Sequence, residues 1–135
     1  MPSTQAILDH HLQCIGACDL DGILVDYAAH SVILTTEGAL RGLDAIRTFF
    51  ARAFAEFSQP GTTFTMKTVI VEGDCAFIVW DAETVDNWFE AASDTFVVRE
   101  GRIVLQTYAA KVTAKNTAPT PSADEYERSK THRTV

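Results

Sequence analysis

Ile7, Leu8, Leu12 and Ile15 recur at helical spacing near the start of the chain. That stripe predicts an amphipathic helix over about Thr4 to Ala17, with Ser3 or Thr4 as N-cap. His11 falls on the same stripe, where an aliphatic residue is expected. Asp19 can cap a second, shorter helix through Ile23, Leu24 and Tyr27. "SVILTT" at 31–36 is β-branched and reads as a strand. Gly38 turns the chain, and "ALRG" at 39–42 is a short return strand. After Gly42 the period changes. Leu43, Ile46, Phe49, Phe50, Ala53, Phe54 and Phe57 recur as a helical face, Asp44 sits in the first turn, and "SQPG" at 58–61 ends the helix.

The rest reads as strand. Phe64 to Glu72 is followed by Gly73-Asp74 and then by Cys75 to about Val85. A loop is expected at Asp86–Ala92, a strand at Ser93–Arg99, a two-residue turn at Glu100-Gly101, and a last strand from Arg102 to Val112. Trp80 shares one strand face with Ile78, Ala82 and Thr84, and Phe77, Val79, Asp81, Glu83 and Val85 share the other. Helices first and an antiparallel meander afterwards imply an α+β fold with the helices on one face of the sheet. A long curved sheet with helices on its concave side makes a cone, and the open end of a cone leaves a pocket. Residues 1–113 form this domain. Residues 114–135 are polar and proline-bearing and read as a mobile tail, in which "SADEYERSK" has the composition for a turn or two of helix against a partner.

Composition narrows the function. The 135 residues suit one domain, and 47% of them are apolar, enough for a sizeable core. The net charge of −7 resides in the body, because the charges after residue 115 cancel. An acidic body repels phosphate backbones and anionic lipid, so no nucleic acid and no membrane partner is expected. No apolar run approaches the ~20 residues of a membrane helix, and the first residues lack the layout of a secretory signal. Cys14, Cys18 and Cys75 are an odd count without metal-type spacing and read as reduced thiols of a cytoplasmic protein. Gly-rich phosphate loops, G-x-S-x-G and H-E-x-x-H are absent from the sequence. His10 and His11 point apart on a helix, so no metal or organic cofactor is expected.

Three stretches carry a family likeness: "DLDGILVDYAAHSVIL" at 19–34, "LRGLDAIRTFF" at 40–50 and "DTFVVREGRIVLQTYAAKV" at 94–112. With the hairpin "VIVEGDCAFIVWDAE" at 69–83, they resemble the SnoaL-like, polyketide-cyclase-like branch of the nuclear-transport-factor-2-like superfamily over about residues 3–113. This superfold hosts isomerases, cyclases, epoxide hydrolases, dehydratases and inert binding modules. The ketosteroid isomerases of the group use a carboxylate base, a tyrosine on the first helix and a protonated aspartic acid on a late strand. In the register set by "DLDGI", the resemblance implies that His11 stands for the tyrosine, Thr35 for the base and Asp94 for the second acid. Trp80 falls near the aromatic wall. Thr35 has no useful basicity, so the isomerases' own base is missing. The resemblance also implies a homodimer through the outer sheet face, using Phe77, Val79 and Val85.

Each candidate has a structural alternative. His11 is either a satisfied core histidine or, facing Asp94, a general base with its tautomer fixed by that carboxylate. Asp94 is either a strand-start aspartate or a desolvated pocket group. Trp80 packs the core or walls a ligand. Tyr108, alternating inward with Gln106 and Ala110, bonds either a ligand oxygen or a backbone carbonyl. Tyr27, Phe54, Phe57, Trp88 and Phe89 are expected at the mouth, Met66 in the core, and Arg41 and Asp44 as a structural link at the corner before the long helix. The expected function is a pocket enzyme for a small hydrophobic or carbonyl-bearing molecule. It would perform isomerase, cyclase, lyase or hydratase chemistry through a His11–Asp94 pair, with Tyr108 assisting. Trp80, Thr35, Tyr27, Phe54, Phe57, Ile78, Ala82, Gln106, Ala110 and Trp88 would bind the substrate. A non-catalytic ligand-binding or dimerisation module is the alternative.

Overall fold

Ser3 opens the first helix: its hydroxyl accepts the Ala6 N–H at 3.1 Å, one of the donors a helix start leaves unpaired. The helix, α1, spans Thr4–Ala17 and ends where Cys18 takes a left-handed conformation. Asp19 caps α2, Leu20–Leu24, by accepting the Gly22 N–H at 2.9 Å. The computed structural model describes residues 1–115, so all but the first two residues of the expected tail, its "SADEYERSK" segment included, lie outside the described residues.

The second helix, expected to run through Tyr27, is shorter than its sequence pattern implies. Strand β1 already begins at Tyr27 and runs to Thr35. Tyr27 pairs with Ile103, and the Ile103 N–H donates to the Asp26 carbonyl at 2.7 Å. The register shifts between Tyr27 and Val32, and Ser31 sits in that irregular stretch with its hydroxyl on the Ile103 carbonyl at 2.7 Å. This bulge breaks the alternation that would have revealed the strand's first half. Strand β2, Gly38–Arg41, returns antiparallel to β1, and Gly42, at φ 85°, turns the chain into α3, Gly42–Phe57. A side chain at Gly42 would be strained in that conformation. Arg41 is the N-cap residue of α3 without a side-chain cap, Asp44 lies in the first turn, and the two do not pair with each other among the described residues.

Strands β3 (Thr63–Glu72), β4 (Cys75–Glu83), β5 (Asn87–Arg99) and β6 (Arg102–Ala114) form the antiparallel meander. The six strands make one curved, unclosed sheet in the order β2-β1-β6-β5-β4-β3. β1 lies parallel to β6, a departure from the purely antiparallel expectation. The chain reaches β6 only after α3 has crossed one face and the meander has returned, so the two strands meet in the same direction.

The loop expected at Asp86–Ala92 is mostly strand. β5 starts at Asn87 and pairs with both neighbours, and only residues 84–86 turn the chain. Ala91 has φ 50° at a bulge, and its N–H donates to the Asp81 carboxylate at 2.9 Å. The extra residue shifts the alternation, so Phe89 and Ala92 are both buried. Trp88 and Val85 are exposed, Val85 beyond the end of β4. The Glu100-Gly101 hairpin forms as expected, with φ of 52° and 71° as a type I′ turn requires.

The helices cover one sheet face, toward which Ile78, Trp80, Ala82, Ala92, Phe96, Val98 and Ile103 are buried with Ile7, Leu8, Ile46, Phe50 and Phe54. Phe77, Val79, Asp81 and Glu83 face the opposite side, the division the sequence predicts. Met66 packs partly buried against this core. The three thiols are free: Cys14 is buried, Cys18 half-buried and Cys75 exposed. Among the described residues no helix is long and apolar enough to cross a membrane.

Candidate functional site

Between the helices and the sheet lies a cavity of about 490 Å³. Helix α1 contributes His11, Leu12 and Ile15, and α3 contributes Phe49, Phe50, Ala53, Phe54 and Phe57. From the sheet come Phe64, Ile78, Trp80, Phe89, Asp94, Gln106 and Tyr108, and residues 35–40 of the β1–β2 hairpin close one side. The apolar stripe of α3 is legible as a buried face. Whether it meets sheet or empty space is not legible, so periodicity does not single out Phe49, Phe50 and Phe64 as lining residues.

Asp94 and Tyr108 are paired directly across β5 and β6, while Ile78 pairs with Asp94 across β4 and β5. These three side chains therefore stand on one face. Asp94 is 6% exposed, and its carboxylate accepts two neutral hydrogen bonds. Trp80 Nε1–H donates to Oδ2 at 2.7 Å, and the Gln106 amide N–H donates to Oδ1 at 3.1 Å. The Gln106 carbonyl oxygen in turn accepts from the Tyr27 hydroxyl. A relay therefore runs from Tyr27 through Gln106 to Asp94. Burial raises the Asp94 pKa to about 6, against the two donors that favour its anion.

Trp80 is held in an aromatic row. Phe64 stacks on it with centroids 5.1 Å apart, and Tyr108 lies nearly parallel on it at 6.3 Å. Phe49 meets the Tyr108 ring edge-on at 5.9 Å. Burial, with the Asp94 and Glu56 charges, raises the Tyr108 hydroxyl to about 12, so it stays a neutral donor.

His11 is 2% exposed and meets Phe96, Phe50 and Tyr27 edge-on, with centroids 4.9, 5.9 and 6.2 Å away. Its Nδ1 is buried without a hydrogen-bond partner among the described residues. Burial, and secondarily the neighbouring His10, lowers its pKa to about 3. The expected His11–Asp94 hydrogen bond is not formed: both Asp94 oxygens are bonded to Trp80 and Gln106, although both side chains line the cavity. Apolar rings surround the imidazole and depress its basicity, whereas a carboxylate contact would have raised it.

The histidine that does pair with a carboxylate is His10, whose Nδ1 lies 2.8 and 2.9 Å from the two oxygens of buried Asp26. Neither residue lines the cavity. The pair ties α1 to the turn before β1.

Of the other expected residues, Thr35, Phe54, Phe57, Ile78 and Gln106 line the cavity. Thr35 stands at its edge with its hydroxyl engaged in the β1–β2 turn, donating to the Gly38 carbonyl and accepting the Glu37 N–H, both at 3.1 Å. Tyr27, Ala82, Ala110 and Trp88 do not line it. Tyr27 is 4% exposed and lies behind Gln106, and Ala110 packs against the core. Ala82 and Trp88 border a separate hollow, and Lys115 sits over the Trp88 ring at 5.0 Å. Neither Tyr27 nor Trp88 stands at the expected mouth: Tyr27 is buried at the start of β1, and Trp88 is exposed at the start of β5. Among the described residues no group of three or more His, Cys, Asp and Glu side chains could hold a metal ion.

No curated protein matches the chain significantly. Solved structures do. An NTF2-like protein of unknown function from Mesorhizobium loti is 22% identical, covering 80% of this chain and 90% of its own, with a TM-score of 0.65. A candidate polyketide cyclase from Sinorhizobium meliloti is 18% identical over 76% of this chain and 92% of its own, at a TM-score of 0.61. A candidate ketosteroid isomerase from Kribbella flavida is 13% identical over 90% and 85%, at 0.65. Likenesses this remote establish the fold alone. The sequence itself goes further: residues 8–106 match the profile of the SnoaL-like domain, and the chain belongs to that family.

Proposed function

We propose that the protein is a cofactor-free acid–base enzyme acting on a small apolar molecule that carries a carbonyl group beside an acidic C–H bond. The observation that carries this reading is Asp94: a carboxylate on the wall of an aromatic cavity, held by two neutral donors and shifted by burial to about 6. A carboxyl group titrating there is ionised at neutral pH and basic enough to take a proton from carbon. Asp94 is the base and returns the proton elsewhere on the substrate. His11 is neutral and a poor base at this pH, so its role is the reverse of the sequence-based expectation. Its N–H and the Tyr108 hydroxyl are the cavity's neutral donors for the oxygen on which negative charge develops. Trp80 and Gln106 position the carboxylate, and Phe54, Phe57 and Ile78 supply apolar contact. Acceptor and donors all come from side chains, so the reaction needs no metal or organic cofactor.

Exchange of solvent deuterium into a panel of small enolisable ketones, followed by NMR, tests proton abstraction directly, whatever product the natural substrate yields. Exchange should rise with pH through about 6 as Asp94 ionises. Asp94→Asn should reduce it by roughly 10²–10⁴. An unchanged rate in that variant, or a profile flat from pH 5 to 8, would falsify the assignment.

The engagement of the Thr35 hydroxyl in its turn, at the position where the isomerases carry their base, favours a second reading: a module that binds ligands without turnover. In either case the outer sheet face, with exposed Phe77, Ile70 and Leu34, is the proposed homodimer surface. Sedimentation of Phe77→Lys as a monomer beside a dimeric parent protein is the expected result.

A further inference from the structure

We propose that the cavity also receives hydrophobic ammonium ions, with the Asp94 carboxylate as their counter-ion and the aromatic rings around it as their walls. This inference rests on the cavity being the ligand site. It does not need the cavity to be catalytic.

The charges inside the cavity point this way. The ion pairs among the described residues involve Asp26, Asp21, Asp81 and Glu83, so Asp94 has no cationic partner there. Its two hydrogen bonds come from an indole and an amide, both uncharged. The imidazole in the cavity does not neutralise it, because His11 is uncharged at neutral pH. Around Asp94 the buried part of the cavity therefore offers neutral donors and no cation; the charged lining residues Glu37, Arg52 and Glu56 are not buried. A buried carboxylate in that state has lost water and gained no opposite charge, an imbalance that an entering cation reduces.

The walls suit such a guest. Phe49, Phe50, Phe54, Phe57, Trp80 and Tyr108 line the space around the carboxylate. The negative faces and ring edges of an aromatic cage accept an alkylammonium head and its chain together. The titratable groups that line the cavity with Asp94 are His11 of α1, Glu37 of the β1–β2 turn, Arg52 and Glu56 of α3, and Tyr108 of β6, and Tyr27 of β1 also feels its charge. His11, Tyr27 and Tyr108 are neutral at pH 7. Arg52 is the sole cation among the lining residues; it is exposed, and Glu37 and Glu56 oppose it. The net charge of −7 also draws cations toward the protein.

The pH dependence has a definite sign. An ammonium guest needs ionised Asp94, so its advantage fades as pH falls through about 6. A guest that only accepts a hydrogen bond from the carboxyl group gains over the same interval. The probes are hexylammonium, 1-hexanol and hexanoate, equal in chain length and differing in head charge. Binding to the full-length protein is followed by the Trp80 indole N–H resonance and by calorimetry. At pH 8 hexylammonium should bind about tenfold or more tightly than 1-hexanol, with hexanoate weakest. The preference should approach parity at pH 5 and vanish in Asp94→Asn. If that variant does not fold, the pH series on the unmodified protein decides alone. Equal binding of 1-hexanol and hexylammonium at pH 8, or a preference that persists at pH 5, overturns the cation inference while leaving the cavity as a ligand site. Failure of all three probes to move the Trp80 signal overturns both. Ammonium binding without deuterium exchange would sustain this inference and remove the catalytic one.

Discussion

His11 offers the sharpest quantitative test, because its burial has an energetic signature that needs no ligand. The imidazole is enclosed by Phe96, Phe50 and Tyr27, its Nδ1 is unpartnered, and its pKa falls from an ordinary 6.5 to about 3. Between those two values the unfolded chain binds a proton that the folded chain refuses. Stability therefore falls as the solution is acidified below the unfolded value, and the loss continues until the folded value is reached. Each pH unit in that window is worth ~1.4 kcal/mol, so at pH 5 the refusal costs about 2 kcal/mol relative to neutral pH. Asp94 acts in the opposite sense. Its folded value of about 6 lies above the ordinary 3.8, so the fold gains stability as pH falls from 6 toward 4. The parent protein's acid response contains both contributions together with those of other shifted groups, Asp26 among them, and is uninformative alone. His11→Leu removes one contribution and leaves the rest. Urea denaturation of both proteins at pH 7 and pH 5, read by tryptophan fluorescence, isolates it. The parent should lose about 2 kcal/mol more than the variant between the two conditions. At pH 7 the variant should be no less stable by more than about 1 kcal/mol, since it also removes a buried unsatisfied nitrogen. A pH response identical in the two proteins, or an NMR titration of His11 centred near 6.5, refutes the burial argument and with it the neutral donor role.

Two further outcomes are expected. Tyr27→Phe deletes the hydroxyl that donates to Gln106 and leaves a buried carbonyl oxygen unpaired, so denaturation should show a loss of about 1–3 kcal/mol, and the Asp94 titration should move because Gln106 is no longer oriented toward it. Glu100→Asn places a residue suited to positive φ in the β5–β6 hairpin, where Glu100 has φ 52°, and should raise stability by roughly 0.5–1 kcal/mol in thermal or urea melts; a loss of stability there would contradict the turn assignment.

The sequence by itself determined whatever depends on neighbours a few residues apart. The first helix's cap, read as Ser3 or Thr4 and formed by Ser3, the apolar faces of α1 and α3, the Glu100-Gly101 turn and the inward side of β4 all follow from short-range periodicity and turn chemistry. Likeness at "DLDGI" and along 94–112 carried the reading from elements to family. Local pattern failed at the two irregularities, near Ser31 and Ala91, where extra residues in one strand hid the starts of β1 and β5. The site lay further beyond its reach. Tyr27 and Gln106 are 79 positions apart, and Trp80 and Asp94 are 14 apart on different strands. Nothing local to Asp94 announces that an indole and an amide will hold it, or that His11 will face rings instead of the carboxylate. Those partners are chosen by sheet register and by how α1 and α3 settle on the curved face. They set the desolvation and hydrogen bonding of Asp94 and His11, and so the direction in which each pKa moves.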